Sequence, residues 1–255
     1  MFLYYLSVFI LGTCVGSFLN VVLFRLERKG GILIGRSECP ECLTRLQWYD
    51  LLPLISYLFL KGNCRYCKSE ISLIYPLMEF TAGLAVLGYL VINGPTLNLF
   101  SVYYLSIIFL FLLLTFFDAL YLILPNKITF GAIILAFAFD VIFKKPELVG
   151  LMLSGFLFSL AFAIIYLVSH GQWMGFGDVK LVFAIGLILG YPLGLLAITV
   201  AIWTAAIWGI VLILFKKANL KTALPFGSFL SAATIIFIVF KDFLTEKINA
   251  YLYFF

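Results

Sequence analysis

The chain has 255 residues, of which 64% are hydrophobic and only 11% charged, with a formal net charge of +5. A soluble surface needs far more charge than that, which excludes a water-soluble globular domain. Repeated apolar stretches of spanning length identify a polytopic helical membrane protein. The positive balance is a topology signal and not a nucleic-acid one, because eight of the seventeen Lys and Arg lie between Arg25 and Lys68.

In chain order, about eight transmembrane helices are expected, near 2–24, 72–92, 99–118, 127–143, 148–169, 178–190, 193–215 and 225–241. Met1–Phe24 lacks a basic n-region and a small-x-small cleavage site, so it is expected to remain as the first span. The sixth span is short and ends near Tyr191-Pro192, which suits a tilted or partly interfacial helix. Three parts follow: a first transmembrane helix (1–24), a small extramembrane domain (25–71) and a polytopic domain (72–255). The positive-inside rule places 25–71 in the cytoplasm and the N-terminus outside. Lys216, Lys217 and Lys221 fit that orientation, whereas Lys144 and Lys145 do not. No internal repeat is evident.

The 25–71 segment carries Cys39-Pro40-Glu41-Cys42 and Cys64-Arg65-Tyr66-Cys67, two C-x-x-C pairs with 21 residues between them. Two such turns can close a tetrahedral four-cysteine zinc site. A loop of about 45 residues has too little core to fold alone, so a metal staple makes physical sense. Disulfides are the alternative, but they require an oxidising compartment, and the charge pattern puts the loop in the cytosol. Four thiolates leave no open coordination position, so the metal is expected to be structural. Cys14 lies within Gly12-Thr13-Cys14-Val15-Gly16, a small-xxx-small spacing for close helix contact that recurs at Gly186, Gly190 and Gly194.

Four acids fall in or at the membrane: Glu79, Asp118, Asp140 and Asp178. A carboxylate there is costly and is a functional candidate by default. Asp140 precedes Lys144 and Lys145 near a helix end and is read as an interfacial acid paired with a lysine. Glu79 could bind substrate or cofactor, or pair with a base of the cysteine segment. Asp178 closes Gly175-Phe176-Gly177-Asp178, where the glycines allow close backbone approach; it could also be a helix N-cap. Asp118 ends an apolar run, and its alternative is an ion pair with Lys127. Taken together, Asp118 and Asp178 fall on the same side of the membrane and favour catalysis. Two carboxylates at close range cannot both ionise cheaply. One can then act as general base on a water while the other polarises a scissile carbonyl and protonates the leaving amine. With His170 the only histidine, H-E-x-x-H is impossible and a histidine-based triad has no support.

The ordered set of motifs resembles the type IV prepilin peptidases (prepilin leader peptidase/N-methyltransferases), a family of Gly-x-Gly-Asp membrane aspartyl proteases. Gly16-Ser17-Phe18-Leu19-Asn20-Val21-Val22 and Arg25-Leu26 match the first-span signature, followed by the double C-x-x-C. Trp48-Tyr49-Asp50, Pro53-Leu54-Ile55-Ser56, Tyr75-Pro76-Leu77 and Glu79 match next. Asp118 then precedes Leu124-Pro125, and Gly175 to Lys180 form the second box, with Pro225-Phe226-Gly227 before the last span.

The resemblance implies a multi-pass protease of the bacterial cytoplasmic membrane, with its site facing the cytoplasm. It implies cleavage of the basic leader of prepilins or pseudopilins after a glycine. Asp118 and Asp178 match the two catalytic aspartates, with Gly175, Gly177, Lys180 and Glu79 as substrate-binding or site-shaping residues. Many members also methylate the new N-terminus with S-adenosylmethionine, an activity associated with the cysteine domain and with the position of Gly62. Two departures stand out: Asp118-Ala119-Leu120 where Asp-Leu-Asp is common, and Asn126 where Leu-Pro-Asp is common. Asp118 is thereby the only acid of its segment. The rival readings are a proton-coupled transporter, a zinc-stapled scaffold without protease activity, and a presenilin-like protease, against which the cysteine loop argues.

Overall fold

The computed structural model describes residues 2–27, 37–216, 219 and 222–252. Residues 28–36 of the expected cysteine domain, and Lys217 and Lys221, lie outside the described residues. Among the described residues ten α-helices follow in order: α1 (Phe2–Glu27), α2 (Ile55–Phe59), α3 (Ile74–Asn93), α4 (Leu99–Tyr121), α5 (Asn126–Phe143), α6 (Leu148–Val168), α7 (Phe176–Leu189), α8 (Leu193–Leu214), α9 (Phe226–Val239) and α10 (Lys241–Leu252). Among the described residues there is no strand, only two isolated β-bridges in the cysteine segment.

Each of the eight expected spans has its helix. Six (α1, α3, α4, α5, α6 and α8) are long and apolar enough to cross a bilayer, and the protein is a multi-pass membrane protein. The other two, α7 and α9, have 14 residues each. At 1.5 Å per residue that is about 21 Å, short of the ~30 Å hydrocarbon core. Beyond α9 the chain bends by 75° into α10, and the two count as a seventh span only if taken together.

Local chemistry sets the helix ends. The Asn98 side chain caps α4, accepting the Ser101 N–H at 2.8 Å. Leu122, in the left-handed region at φ 54°, closes that helix by donating its N–H to the Asp118 carbonyl at 2.8 Å. Pro125 then starts α5. Gly175 opens α7, and Gly190, at φ 65°, closes it.

The chain forms two compact units, Met1–Val91 and Ile92–Phe255. In the first, α1 lies against α3 through its glycines: a Cβ at Gly12 would sit 2.8 Å from Gly83 Cα, and one at Gly16 2.7 Å from Glu79 Cα. Cys14, between them, is exposed and takes no part in that packing. In the second, α4 is the central helix, with 61% of its most apolar window buried against 11% for α6. Gly186 of α7 meets Gly155 of α6, where a Cβ would come within 2.4 Å of the facing Cα.

Lys144, which contradicted the positive-inside pattern, is buried at the end of α5. Its Nζ lies 3.1 Å from Asp140 Oδ1 and about 5.5 Å from the ring centres of Tyr103 and Tyr104. Neither Asp140 oxygen accepts a hydrogen bond of ordinary geometry, so the contact is coulombic. A lysine neutralised inside the bundle is a weak orientation signal, whereas Lys145 is exposed and still runs against the positive-inside pattern.

Candidate functional site

In the second unit, Asp118 sits one turn before the end of α4 and is buried. Its Oδ2 accepts the Ser228 backbone N–H at 2.7 Å and lies 3.1 Å from the Ser228 hydroxyl. That hydroxyl also donates to the Thr115 carbonyl at 2.8 Å. Ser228 lies in the first turn of α9, whose early N–H groups have no intrahelical partner and so suit a carboxylate. Asp178 is buried in the first turn of α7. It is not the cap: Gly175 holds the N-cap position, and the Asp178 N–H donates to the Gly175 carbonyl at 3.1 Å.

Leu124 joins the two acids. A Cβ at Gly227 would lie 3.0 Å from the Leu124 methyls and 3.1 Å from Asp118 Cγ, and one at Gly177 would lie 3.1 Å from Leu124 Cβ. The loop after α4 therefore folds over bare glycine backbone on α7 and α9 and fixes the ends of three helices together. The two carboxylates are near enough to repel one another. Gly177 is filled by the chain's own Leu124, whereas a Cβ at Gly175 would meet nothing nearer than 3.8 Å, so only the Gly175 side is open. Lys180, one turn into α7, donates to Asn126 Oδ1 at 2.5 Å and lies over the Phe130 and Phe176 rings.

The first unit carries the other residues singled out by sequence. The four sulfurs of Cys39, Cys42, Cys64 and Cys67 all lie within 4.8 Å of one another. Tetrahedral zinc with Zn–S bonds of about 2.3 Å spaces its sulfurs by about 3.8 Å, and Cys39 and Cys67 stand at 3.9 Å. A disulfide would need about 2.05 Å, and all four cysteines are free. The set could hold a tetrahedral metal ion. Two matching turns build it. Leu43 N–H returns to the Cys39 carbonyl and Cys39 N–H to Thr44; Lys68 N–H returns to Cys64 and Cys64 N–H to Ser69. Leu43 (φ 56°) and Lys68 (φ 61°) take the same left-handed position, and the bridges Glu38–Arg45 and Asn63–Glu70 close each turn. This is an internal repeat at a constant offset, which the sequence reading missed.

The Ser69 hydroxyl, 3.0 Å from Cys67 Sγ, holds that thiol down to about 6, so it is thiolate at neutral pH. Asp50 ties the segment together, accepting from Arg65 Nε at 2.7 Å and from the Tyr66 hydroxyl and Gln47 N–H at 3.1 Å. Burial pushes the Asp50 carboxyl up, but the hydrogen bonds from Arg65, the Gln47 N–H and Tyr66, with the Arg65 charge, together outweigh it and hold the group below the ordinary range. Glu79 accepts the Leu54 N–H at 2.8 Å, so its partner in the cysteine segment is a backbone amide rather than a base. Gly62 sits at φ +73°, and a Cβ there would lie 2.9 Å from the Tyr57 hydroxyl.

Residues 10–92 match the bacterial peptidase A24 N-terminal domain, and residues 104–210 match the type IV leader peptidase family. The chain is 30% identical to the prepilin leader peptidase/N-methyltransferase of Bacillus subtilis (strain 168), over 92% of this chain and 93% of that protein. The chain belongs to the type IV leader peptidase family. Proteins of the same name from Aeromonas salmonicida (strain A449) and Vibrio cholerae serotype O1 are 29% and 34% identical, covering 96% and 73% of this chain and 93% and 78% of theirs. No solved structure matches it. As a member of this leader peptidase family the protein is a membrane-embedded enzyme. The two matched regions follow its two compact units closely.

Proposed function

We propose that this leader peptidase removes the basic leader of prepilins or pseudopilins after a glycine, at the cytoplasmic face of the bacterial inner membrane, and then methylates the new N-terminus. The observation that carries the peptidase half is the pair of buried carboxylates, Asp118 and Asp178, linked through Leu124. In this reading residues 25–71 form a zinc-stapled cytoplasmic domain and residues 72–255 the transmembrane peptidase domain. One carboxylate takes a proton from water. The hydroxide adds to the scissile carbonyl, and the other carboxyl, protonated, supports the developing oxyanion. Collapse breaks the C–N bond and the leaving amine takes the proton. The titration belongs to the pair. The Ser228 donors anchor Asp118 Oδ2 and leave Oδ1 for water or substrate.

A prepilin has a basic leader and a long apolar helix, so the helix can lie in the bilayer with its scissile bond at the interface. The open backbone at Gly175 and the cation of Lys180 then border the substrate. Zinc in the four thiolates is structural, having no open position. S-adenosylmethionine, when bound, would supply an electrophilic methyl group to the new amine, with a neutral thioether and a proton as the other products. The test is mass spectrometry of a prepilin co-expressed with the protein. The expected product has lost its leader and gained one methyl group; an intact leader overturns the reading.

Gly177→Val should block cleavage with the protein still inserted. The added side chain meets Leu124 at 3.1 Å, and Leu124 also packs at Gly227 beside Asp118. The displacement therefore reaches the dyad; a misplacement of this order can cost about 10²-fold in rate. Wild-type cleavage by the inserted variant would contradict this account of Leu124.

A further inference from the structure

The buried Ser228 hydroxyl has one proton and two acceptors, Asp118 Oδ2 at 3.1 Å and the Thr115 carbonyl at 2.8 Å. The charge on Asp118 decides between them. An ionised carboxylate is the stronger acceptor and draws the proton to Oδ2. A neutral carboxyl releases it to the Thr115 carbonyl, while Oδ2 keeps the Ser228 N–H at 2.7 Å. In neither state is the hydroxyl stranded without a partner. Asp178 has no such donor: its partner is a backbone amide, the Gly175 N–H. Both acids sit at the positive end of a helix, Asp118 at that of α9 and Asp178 at that of α7, so the helix dipoles do not separate them. Nor do the surrounding charges. α9 carries no charged side chain between Phe226 and Val239. α5 carries Lys127, which is exposed, and Asp140 near its far end. On α7, beside Asp178 itself, Lys180 is held by Asn126. Among the described residues neither lysine ion-pairs with Asp118. The serine hydroxyl is the difference within the pair.

We infer that Ser228 is a positioning residue that sets the roles within the dyad, holding Asp118 as the ionised general base and leaving the shared proton on Asp178 as the general acid, an inference that rests on the peptidase half of the function proposed above. Asp118 Oδ1 then takes a proton from water as hydroxide adds to the scissile carbonyl carbon, and the Asp178 proton passes to the carbonyl oxygen. As Asp118 loses its charge, the Ser228 hydroxyl turns to the Thr115 carbonyl. On collapse Asp178 recovers its proton, the C–N bond breaks and the leaving amine takes the proton from Asp118. Both acids return to their starting states.

The test is the pH profile of leader cleavage, as kcat and KM, for the purified full-length protein acting on a prepilin, with helical content as the folding control. The acid limb follows protonation of the base and the alkaline limb loss of the proton from the acid. Ser228→Ala keeps the backbone N–H and removes the hydroxyl, so Asp118 holds its charge less firmly. The acid limb should move up by about one pH unit, with kcat about tenfold lower along it, while the alkaline limb and KM stay in place. Ser228→Thr keeps the hydroxyl and should restore the wild-type acid limb. Ser228→Cys, a weaker donor of similar size, should move the limb less and in the same direction, and serves if Ser228→Ala fails to fold. A shift of the alkaline limb instead would exchange the two roles, and an unmoved profile would make Ser228 structural; either overturns the inference and leaves the peptidase reading standing. If wild type does not cleave the leader at all, both fall.

Discussion

Asp118→Asn and Asp178→Asn should each reduce leader cleavage by about 10²-fold or more, since each removes a proton-transfer group from the reaction. Both substitutions leave the fold intact, for reasons visible in the site. Asparagine keeps an acceptor oxygen, so at position 118 it can still take the Ser228 N–H and hydroxyl contacts at 2.7 and 3.1 Å. At position 178 asparagine likewise keeps an acceptor oxygen for the Gly175 backbone N–H at the start of α7. The measurement is leader cleavage of a co-expressed prepilin, with membrane insertion checked for each variant. Loss in both, with insertion intact, supports the dyad. Cleavage surviving either change makes that aspartate structural and sinks the aspartyl mechanism. A proton-coupled transporter gives a different pattern, with flux dependent on Asp118 and no cleavage by the wild type.

The helices were legible because the bilayer leaves few options: an apolar run of spanning length has to be a helix. The shortness of α7 was legible in its brief apolar run, but that of α9 was not, since 225–241 reads as a span while the helix holds 14 residues before the chain bends. The candidate acids were legible because a carboxylate in an apolar run is costly. Their support was not. Ser228 lies 110 residues from Asp118, and a single hydroxyl carries no periodic signal. Leu124 reads as any other leucine, although its place between Gly177 and Gly227 aligns three helix ends. The N-cap alternative for Asp178 fails because α7 begins three residues earlier, on Gly175. The repeat of the cysteine turns escaped notice because only the cysteines recur while the flanking side chains differ. What repeats is backbone: a returning N–H and a left-handed residue after each second cysteine.

Removal of zinc should unfold the cysteine segment. Across residues 37–73 the only buried apolar residues are Cys39 and Cys64, so no apolar core takes over when the metal leaves. The Asp50–Arg65 pair is the other link, and the Arg65 side chain is 44% exposed, where such a pair contributes about 0–1 kcal/mol. Binding of structural zinc by four thiolates is worth about 10–16 kcal/mol in small domains. The purified protein should therefore carry one zinc per chain, and a strong chelator or Cys64→Ser should expose residues 37–73 to limited proteolysis. The acids of α4 and α7 lie in the other compact unit, so leader cleavage should outlast methylation as zinc is withdrawn. A segment that stays protease-resistant without metal would refute the staple. Methylation that persists without metal would separate that activity from the cysteine turns.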